Sequence, residues 1–206
     1  MNDAERTTKE LIEVLGRDCQ RCHKALIRAI DSGKRDKDGL VSPTASFEFY
    51  ARQFVRAAFA YIEAVTFSVK VTSAVTCMDR DIDITPQERY FAADTEYEIN
   101  EKGNVVESIA RISLSKNIRF AITLNRRAHD IDESFDASVE WWSCMKAAIK
   151  VRDRLTHPKF PDDLDISGAE IVQVMKAKNG FEEEILNFGR PKGLTARSRR
   201  TPLAPP

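Results

Sequence analysis

Several features that would classify this sequence at once are absent or scarce. Its 206 residues carry 32 basic and 32 acidic side chains, so the net charge is zero and the basic excess of a general nucleic-acid binder is missing. No stretch approaches the ~18–20 consecutive apolar residues of a membrane span. Residues 1–6 lack the apolar segment of a signal peptide. We therefore expect a cytoplasmic protein with no membrane contact.

Cysteine and histidine are also scarce, with four and three residues. In a reducing cytoplasm we expect no disulfide. Cys19, Cys22 and His23 have the C-x-x-C-H spacing of covalent haem attachment, but they fall inside a helical pattern. A zinc site would have to draw its further ligands from the few remaining cysteines and histidines. We expect no cofactor and no metal, and a haem or metal protein stays as a third alternative.

What the sequence does contain is helical periodicity, with apolar residues recurring at spacings near 3.6. The periodicity and the capping signals predict helices at about 8–31, from 46 to the early seventies, 86–93, 111–128, 136–155 and from 168 to about 188. Gly180 offers a break in the last of these. Trp141 and Trp142 are expected in the core rather than as platforms for stacked bases. The sequence thus predicts an all-α bundle.

Two segments depart from the helical pattern. Residues 95–107 alternate in polarity around Gly103 and predict a β-hairpin, which we interpret as an insertion between helices. From 189 to 206 the chain is rich in Pro and Arg and has too few apolar residues to order itself. We therefore predict one helical domain over 1–188 and a disordered basic tail over 189–206.

The predicted helix at 136–155 ends in residues suited to chemistry. Its apolar stripe, continued at the same spacing, reaches Arg152, which keeps its charge in every environment. The stripe consists of Val139, Trp142, Met145 and Ile149. His157 precedes Pro158, and a residue before proline avoids helical geometry, so the helix should end just before His157. An arginine and a histidine are therefore expected together at one helix end.

This arrangement, Arg152 followed by four residues and then His157 at a helix end, resembles the R-x4–6-H motif of the HEPN superfamily. Asp153 matches the polar position that often follows the motif arginine. The resemblance implies a HEPN-like helical bundle over about 8–188, often a homodimer. It also implies metal-independent RNA cleavage in toxin or antiviral defence systems, with an antitoxin or regulatory protein as a further partner. The hairpin at 95–107 lies outside the minimal HEPN fold.

Both residue types suit attack by the 2′-hydroxyl of RNA on the adjacent phosphate. Histidine exchanges protons near neutral pH, and the arginine fork matches a phosphate on which charge builds. Two protomers related by a two-fold axis would unite two such pairs in one cleft. We therefore expect a homodimeric endoribonuclease with Arg152 and His157 as catalytic residues. The alternative is a non-catalytic HEPN-like module that dimerises or binds nucleotides or a partner.

A plainer interpretation of the motif also stands. His157 would then cap the last carbonyls of its helix, and Arg152 would pair with an acid such as Glu63.

Further residues are expected to support the motif. Lys150, Arg154 and Lys159 belong to a basic patch, together with Lys146, that could follow an RNA backbone. The long second helix carries a polar stripe of Arg52, Arg56, Glu63, Thr66 and Lys70. In a functional interpretation, Glu63 orients Arg152 or His157. We favour the simpler interpretation, in which the stripe is the solvated face of an amphipathic helix.

Overall fold

The computed structural model describes residues 3–33 and 44–186, and these residues are mainly helical. The helices follow in the order α1 (Asp3–Asp31), α2 (Ala45–Asp79), α3 (Pro86–Ala92), α4 (Leu114–Ala128), α5 (Glu140–Thr156) and α6 (Gly168–Leu186). A short 3-10 turn, Pro161–Leu164, joins α5 to α6. The predicted helical class is confirmed. The tail predicted at 189–206 lies outside the described residues.

The central helix of the bundle is α2, against which α1, α3, α4, α5 and α6 all pack. Its core side includes Phe54, Phe59 and Ile62, each at most 2% exposed. Helix α2 is long and apolar enough, by length and composition alone, to cross a membrane, and 44% of its most apolar 18-residue window is buried by the rest of the protein. Glu63 and Lys70 interrupt the apolar residues of α2, so the prediction that no consecutive apolar run of that length exists is not contradicted. A core helix meets the same criterion, and α2 occupies that position.

The predicted end of α2 in the early seventies is also wrong, because the helix continues to Asp79. Its last turns are rich in β-branched residues, which lower helix propensity. Two of them bond back to the helix through their hydroxyls, which does not raise the propensity: Thr72 donates to the carbonyl of Ser68 at 2.9 Å and Thr76 to that of Thr72 at 2.9 Å. Packing of this segment against α4 and α3 stabilises the helix here, with Ala74 and Cys77 buried in a second small core.

The predicted hairpin is present between α3 and α4. Strands β1 (Thr95–Ile99) and β2 (Val105–Ile109) pair antiparallel, with Thr95 opposite Ile109, so the second strand extends two residues beyond the prediction. In the turn, Gly103 has φ +74°, and the Asn100 side chain accepts hydrogen bonds from two backbone N–H groups at 3.0 Å. The hairpin is an insertion whose base closes on the end of α3.

A carboxylate joins α3 to α4. The predicted capping box at the start of α3 is present, with Thr85 and Glu88 each accepting from the other's backbone N–H. On α4, the Arg127 guanidinium donates to both oxygens of the same Glu88 carboxylate, at 2.6 and 3.1 Å. The hydrogen bond from Arg127 is the main reason why the pKa of Glu88 falls from 4.5 to about 2. The carboxylate thus favours the folded chain only while it is ionised.

We expect Glu88→Gln to lower the free energy of unfolding at pH 7 by about 2 kcal/mol, allowing for screening at this partly exposed position. Because the folded pKa of Glu88 is depressed, its contribution is complete above pH 4.5 and disappears as pH falls toward 2. Urea denaturation at pH 7, 4 and 2.5 measures this. Glu140→Gln, which breaks an exposed pair with Lys176, is the matched control and should change little. A constant difference between wild type and Glu88→Gln across this range would contradict the assignment.

Helices α5 and α6 pack closely against each other. Trp142 is 3% exposed and Trp141 packs at the edge of the same core, in agreement with the sequence-based expectation. The break considered at Gly180 does not occur, since α6 is continuous from Gly168 to Leu186. Gly180 instead lies directly against Trp141. The glycine serves close packing between the helices rather than a kink.

Candidate active site at the end of α5

Arg152 lies at the margin of the face that α5 buries. The buried positions are Trp142, Met145, Ala148, Val151 and Leu155. The predicted stripe is therefore partly wrong, because Val139 and Ile149 are only partly buried at the edge of the core. Helix α5 ends at Thr156 with His157 as its C-cap, as the proline rule predicted. Arg152 lies just before the last turn, and its side chain is 29% exposed.

The Arg152 guanidinium is held between two carboxylates. One terminal nitrogen, Nη2, donates to Glu63 on α2 at 2.5 Å, and the other, Nη1, donates to Asp153 at 3.0 Å. Partial burial disfavours the charge, but the hydrogen bond to Asp153 and the charge of Glu63 outweigh it, so the pKa of Arg152 is raised. Among the described residues, two of the five N–H groups are thus engaged and three have no partner. The pairing fixes the orientation of the side chain without using all of its donors.

The polar stripe of α2 is a solvated face only in part, since Arg56 is exposed and the Glu63 side chain is 40% exposed. Thr66 is 1% exposed and Lys70 fully buried, and Lys70 forms an ion pair with Asp94 next to the hairpin. Toward the other end of α2, Arg52 donates to the carbonyl of Leu164 and Arg56 to that of Leu155, both at 3.4 Å. Because α2 has neighbours on several sides, Arg52, Arg56 and Lys70 all bond to other segments of the chain. Glu63 is the member of this stripe that contacts Arg152.

His157 is exposed, and within residues 3–33 and 44–186 no group hydrogen-bonds its ring. Its backbone N–H donates to the carbonyl of Asp153 at 3.0 Å. Other groups satisfy the last turn: the Thr156 hydroxyl donates to the carbonyl of Arg152, and Arg56 donates to that of Leu155. The plainer interpretation is thus half met, since the Glu63–Arg152 pair exists but the imidazole caps nothing described. The ring is available to a ligand.

The basic residues predicted to bind RNA do not form one cluster around Arg152. At 100° per residue, positions 150 and 154 point to the opposite side of α5 from position 152. Arg154 already donates to the carbonyl of Asp165 at 2.7 Å and to Glu170 at 3.0 Å, which fastens the loop before α6. Lys159 lies beyond the helix and is exposed. The expectation of a patch that surrounds the motif was therefore wrong.

Lys150 and Arg154 instead line a cleft of about 630 Å³ between α5 and α6. Lys146, one turn before Lys150, lies on the same wall, and Gln173 contributes from α6. Sequence reasoning assigned no role to Gln173. Only the pairing of α5 with α6 brings it to the basic face, so no local signal could have found it.

The C-x-x-C-H segment belongs to the core side of α1. Cys19 is 1% exposed, and burial raises the pKa of its thiol to about 11. Burial also raises the pKa of Cys22, and the His23 ring lies 5.3 Å from that of Phe54. In the part of the chain that the structure describes, no three His, Cys, Asp or Glu side chains are grouped to hold a metal. The two cysteines therefore act as packing residues of α1, while the buried Nε2 of His23 has no hydrogen-bond partner among the described residues.

Comparison with known proteins identifies no relative. No protein-family model, no curated protein and no solved structure matches this chain. The case for a site at the end of α5 therefore rests on the geometry of Arg152, Glu63 and His157 and on the resemblance of a short motif.

Proposed function

We propose that this protein is a metal-independent endoribonuclease of the HEPN type, with Arg152 and His157 as its catalytic residues. The observation that carries the proposal is the contrast between the two side chains at the end of α5. The Arg152 guanidinium is oriented by Glu63 and Asp153, while the exposed His157 ring is unengaged by the described residues. Phosphodiester transfer by RNA needs a cation for the phosphate and an imidazole for the proton, and the end of α5 carries one of each.

The chemistry requires a base, an acid and a partner for the phosphate. His157 takes the proton of a 2′-hydroxyl, whose oxygen then bonds to the adjacent phosphorus. The bond from phosphorus to the 5′-oxygen breaks, and that oxygen receives a proton from a second histidine. The three unused N–H groups of Arg152 donate to the non-bridging oxygens as charge builds on them. Glu63 acts as a positioning residue that keeps the guanidinium in place.

One chain offers a single histidine at this site, so the proposal includes a homodimer. A two-fold axis near the end of α5 would supply the second His157. We place the enzyme in the cytoplasm, as an effector of a toxin or defence system controlled by an antitoxin or another regulatory protein. These last points rest on the HEPN resemblance alone.

The second candidate is a non-catalytic module of the same fold that dimerises or binds nucleotides or a partner protein. One observation favours it. Glu63 and Asp153 together carry more negative charge than Arg152 neutralises, which suits a structural ion pair better than a phosphate site. The two candidates differ in whether purified protein cleaves RNA at all.

Product analysis tests the proposed reaction. Purified protein in excess EDTA should cut a defined RNA oligonucleotide and leave a 2′,3′-cyclic phosphate and a 5′-hydroxyl. A 2′-methoxy sugar at the cleavage position should block cutting there, because the nucleophile is missing. End-labelling of the fragments and mass spectrometry identify the termini. Fragments with 5′-phosphate and 3′-hydroxyl ends, or activity lost on chelation, would refute the mechanism.

A further inference from the structure

The cleft between α5 and α6 has an unbalanced charge. Lys146 and Lys150 are both exposed, stand one helical turn apart, and form no ion pair within the described residues. Like charges at this spacing disfavour the helix slightly, and a bound anion would remove that cost. The one acid on the walls, Glu170, is already paired with Arg154 at 3.0 Å. Two lysines thus remain uncompensated at the mouth of a cavity of about 630 Å³.

The remaining walls suit a ligand that is only partly ionic. Ala147 and Val151 line the α5 side next to the lysines, and Gln173 adds an amide from α6. The volume is within the usual range for sites that hold a molecule the size of a nucleotide. A phosphodiester strand offers anions for the lysines together with sugar and base surface for the apolar floor. These features match single-stranded nucleic acid better than a free inorganic anion.

We propose that this cleft binds the backbone of single-stranded RNA, away from the bond that is cut. The inference rests on the proposed ribonuclease function and adds to it a second contact for the substrate. The cleft is on the opposite side of α5 from Arg152, and Arg154 marks its end on the last helical turn. His157 follows three residues later, so a strand leaving the cleft passes round the end of α5 to the catalytic pair.

Binding can be measured without cleavage by using wild-type protein and a fully 2′-methoxy RNA of about 12 nucleotides, a length within the site sizes of single-strand binders. Fluorescence anisotropy over a salt series gives the Kd and its salt slope. The double variant Lys146→Ala/Lys150→Ala should raise the Kd roughly tenfold and reduce the slope by about 1.4. The control variant Lys9→Ala/Lys24→Ala removes two exposed lysines from α1, so its net charge equals that of the cleft variant.

The outcomes separate this inference from the proposed function. If the cleft variant shows weaker binding and a smaller salt slope and the control variant does not, the result supports RNA binding in the cleft. Equal Kd values for the cleft and control variants, or no binding by wild type, overturn it. If wild type binds through the cleft but never cleaves unmodified RNA, the ribonuclease proposal fails while the binding site stands. If wild type cleaves and the cleft variant binds normally, the cleft is excluded and the enzyme remains.

Discussion

Replacing His157 with alanine is expected to abolish RNA cleavage, with kcat falling by about 10³-fold or more. One substitution removes the histidine from both protomers of the proposed dimer, so acid and base are lost together, and each typically contributes about 10²–10⁴-fold. The fold should be unaffected, because the ring is exposed and caps no described carbonyl. Single-turnover cleavage, with circular dichroism and size-exclusion chromatography as checks on the fold and dimer, measures the effect.

Arg152→Ala is the second arm of the same prediction. The loss of three available donors near the phosphate should cost about 10²–10³-fold in kcat. Arg152→Lys keeps the charge but loses the planar fork, and should recover only a small part of the rate. Because the ion pairs of Arg152 are partly exposed, Arg152→Ala should cost at most about 1 kcal/mol of stability.

Matched controls test whether the effect is specific to the end of α5. His129 is the C-cap of α4 as His157 is of α5, and Arg80 pairs with Asp130 at a helix end. His129→Ala and Arg80→Ala should therefore retain cleavage. Full activity of His157→Ala, or equal losses in the controls, would remove the basis for the proposed site and favour the non-catalytic module.

The features of the fold that the sequence predicts correctly are those that depend on a few neighbouring residues. The end of α5 follows from His157 preceding Pro158, and the start of α3 follows from Thr85, Pro86 and Glu88. Such signals act through local backbone geometry and capping, so they hold whatever the helix packs against. The hairpin belongs to the same class, since Asn100 and Gly103 shape its turn.

Local signals of this kind do not predict the surroundings of the polar residues of α2. A polar stripe indicates a solvated face only if the helix has one packed side, and α2 packs against five other helices. Lys70 is buried because Asp94, 24 residues later, reaches it with the carbonyl of Phe91. Arg126 is likewise 7% exposed and pairs with Glu184, 58 residues away. These pairs depend on tertiary contacts that periodicity does not contain.

The prediction that the basic residues cluster around Arg152 is wrong for a different reason. Neighbours in sequence on a helix point in different directions, so Lys150 and Arg152 face opposite sides of α5 although only one residue separates them. A count of charges along the sequence does not distinguish these two sides of the helix. The Arg152 guanidinium is directed toward α2 and the lysines toward α6, and this difference depends on which helices pack against α5.

The contact on which the α5–α6 cleft depends should be sensitive to a single methyl group. We expect Gly180→Ala to lower the free energy of unfolding by about 3 kcal/mol, at the upper end of overpacking effects. An added Cβ would lie 2.2 Å from Cβ and 2.3 Å from Cγ of Trp141. The Trp141 Cβ is fixed to the α5 backbone, so no rotamer change relieves the clash. The gain in helix propensity, about 1 kcal/mol, is too small to offset it.

Gly168→Ala is the control for this prediction, because a Cβ there has no atom within 4 Å, and its stability should equal or slightly exceed that of wild type. Urea denaturation midpoints compare the two variants. Trp141→Ala should not rescue Gly180→Ala, since the Cβ in question remains. Because the helices must separate to admit the methyl group, Gly180→Ala should also weaken RNA binding through the cleft. Wild-type stability in Gly180→Ala would mean that α5 and α6 are not in close contact at this position.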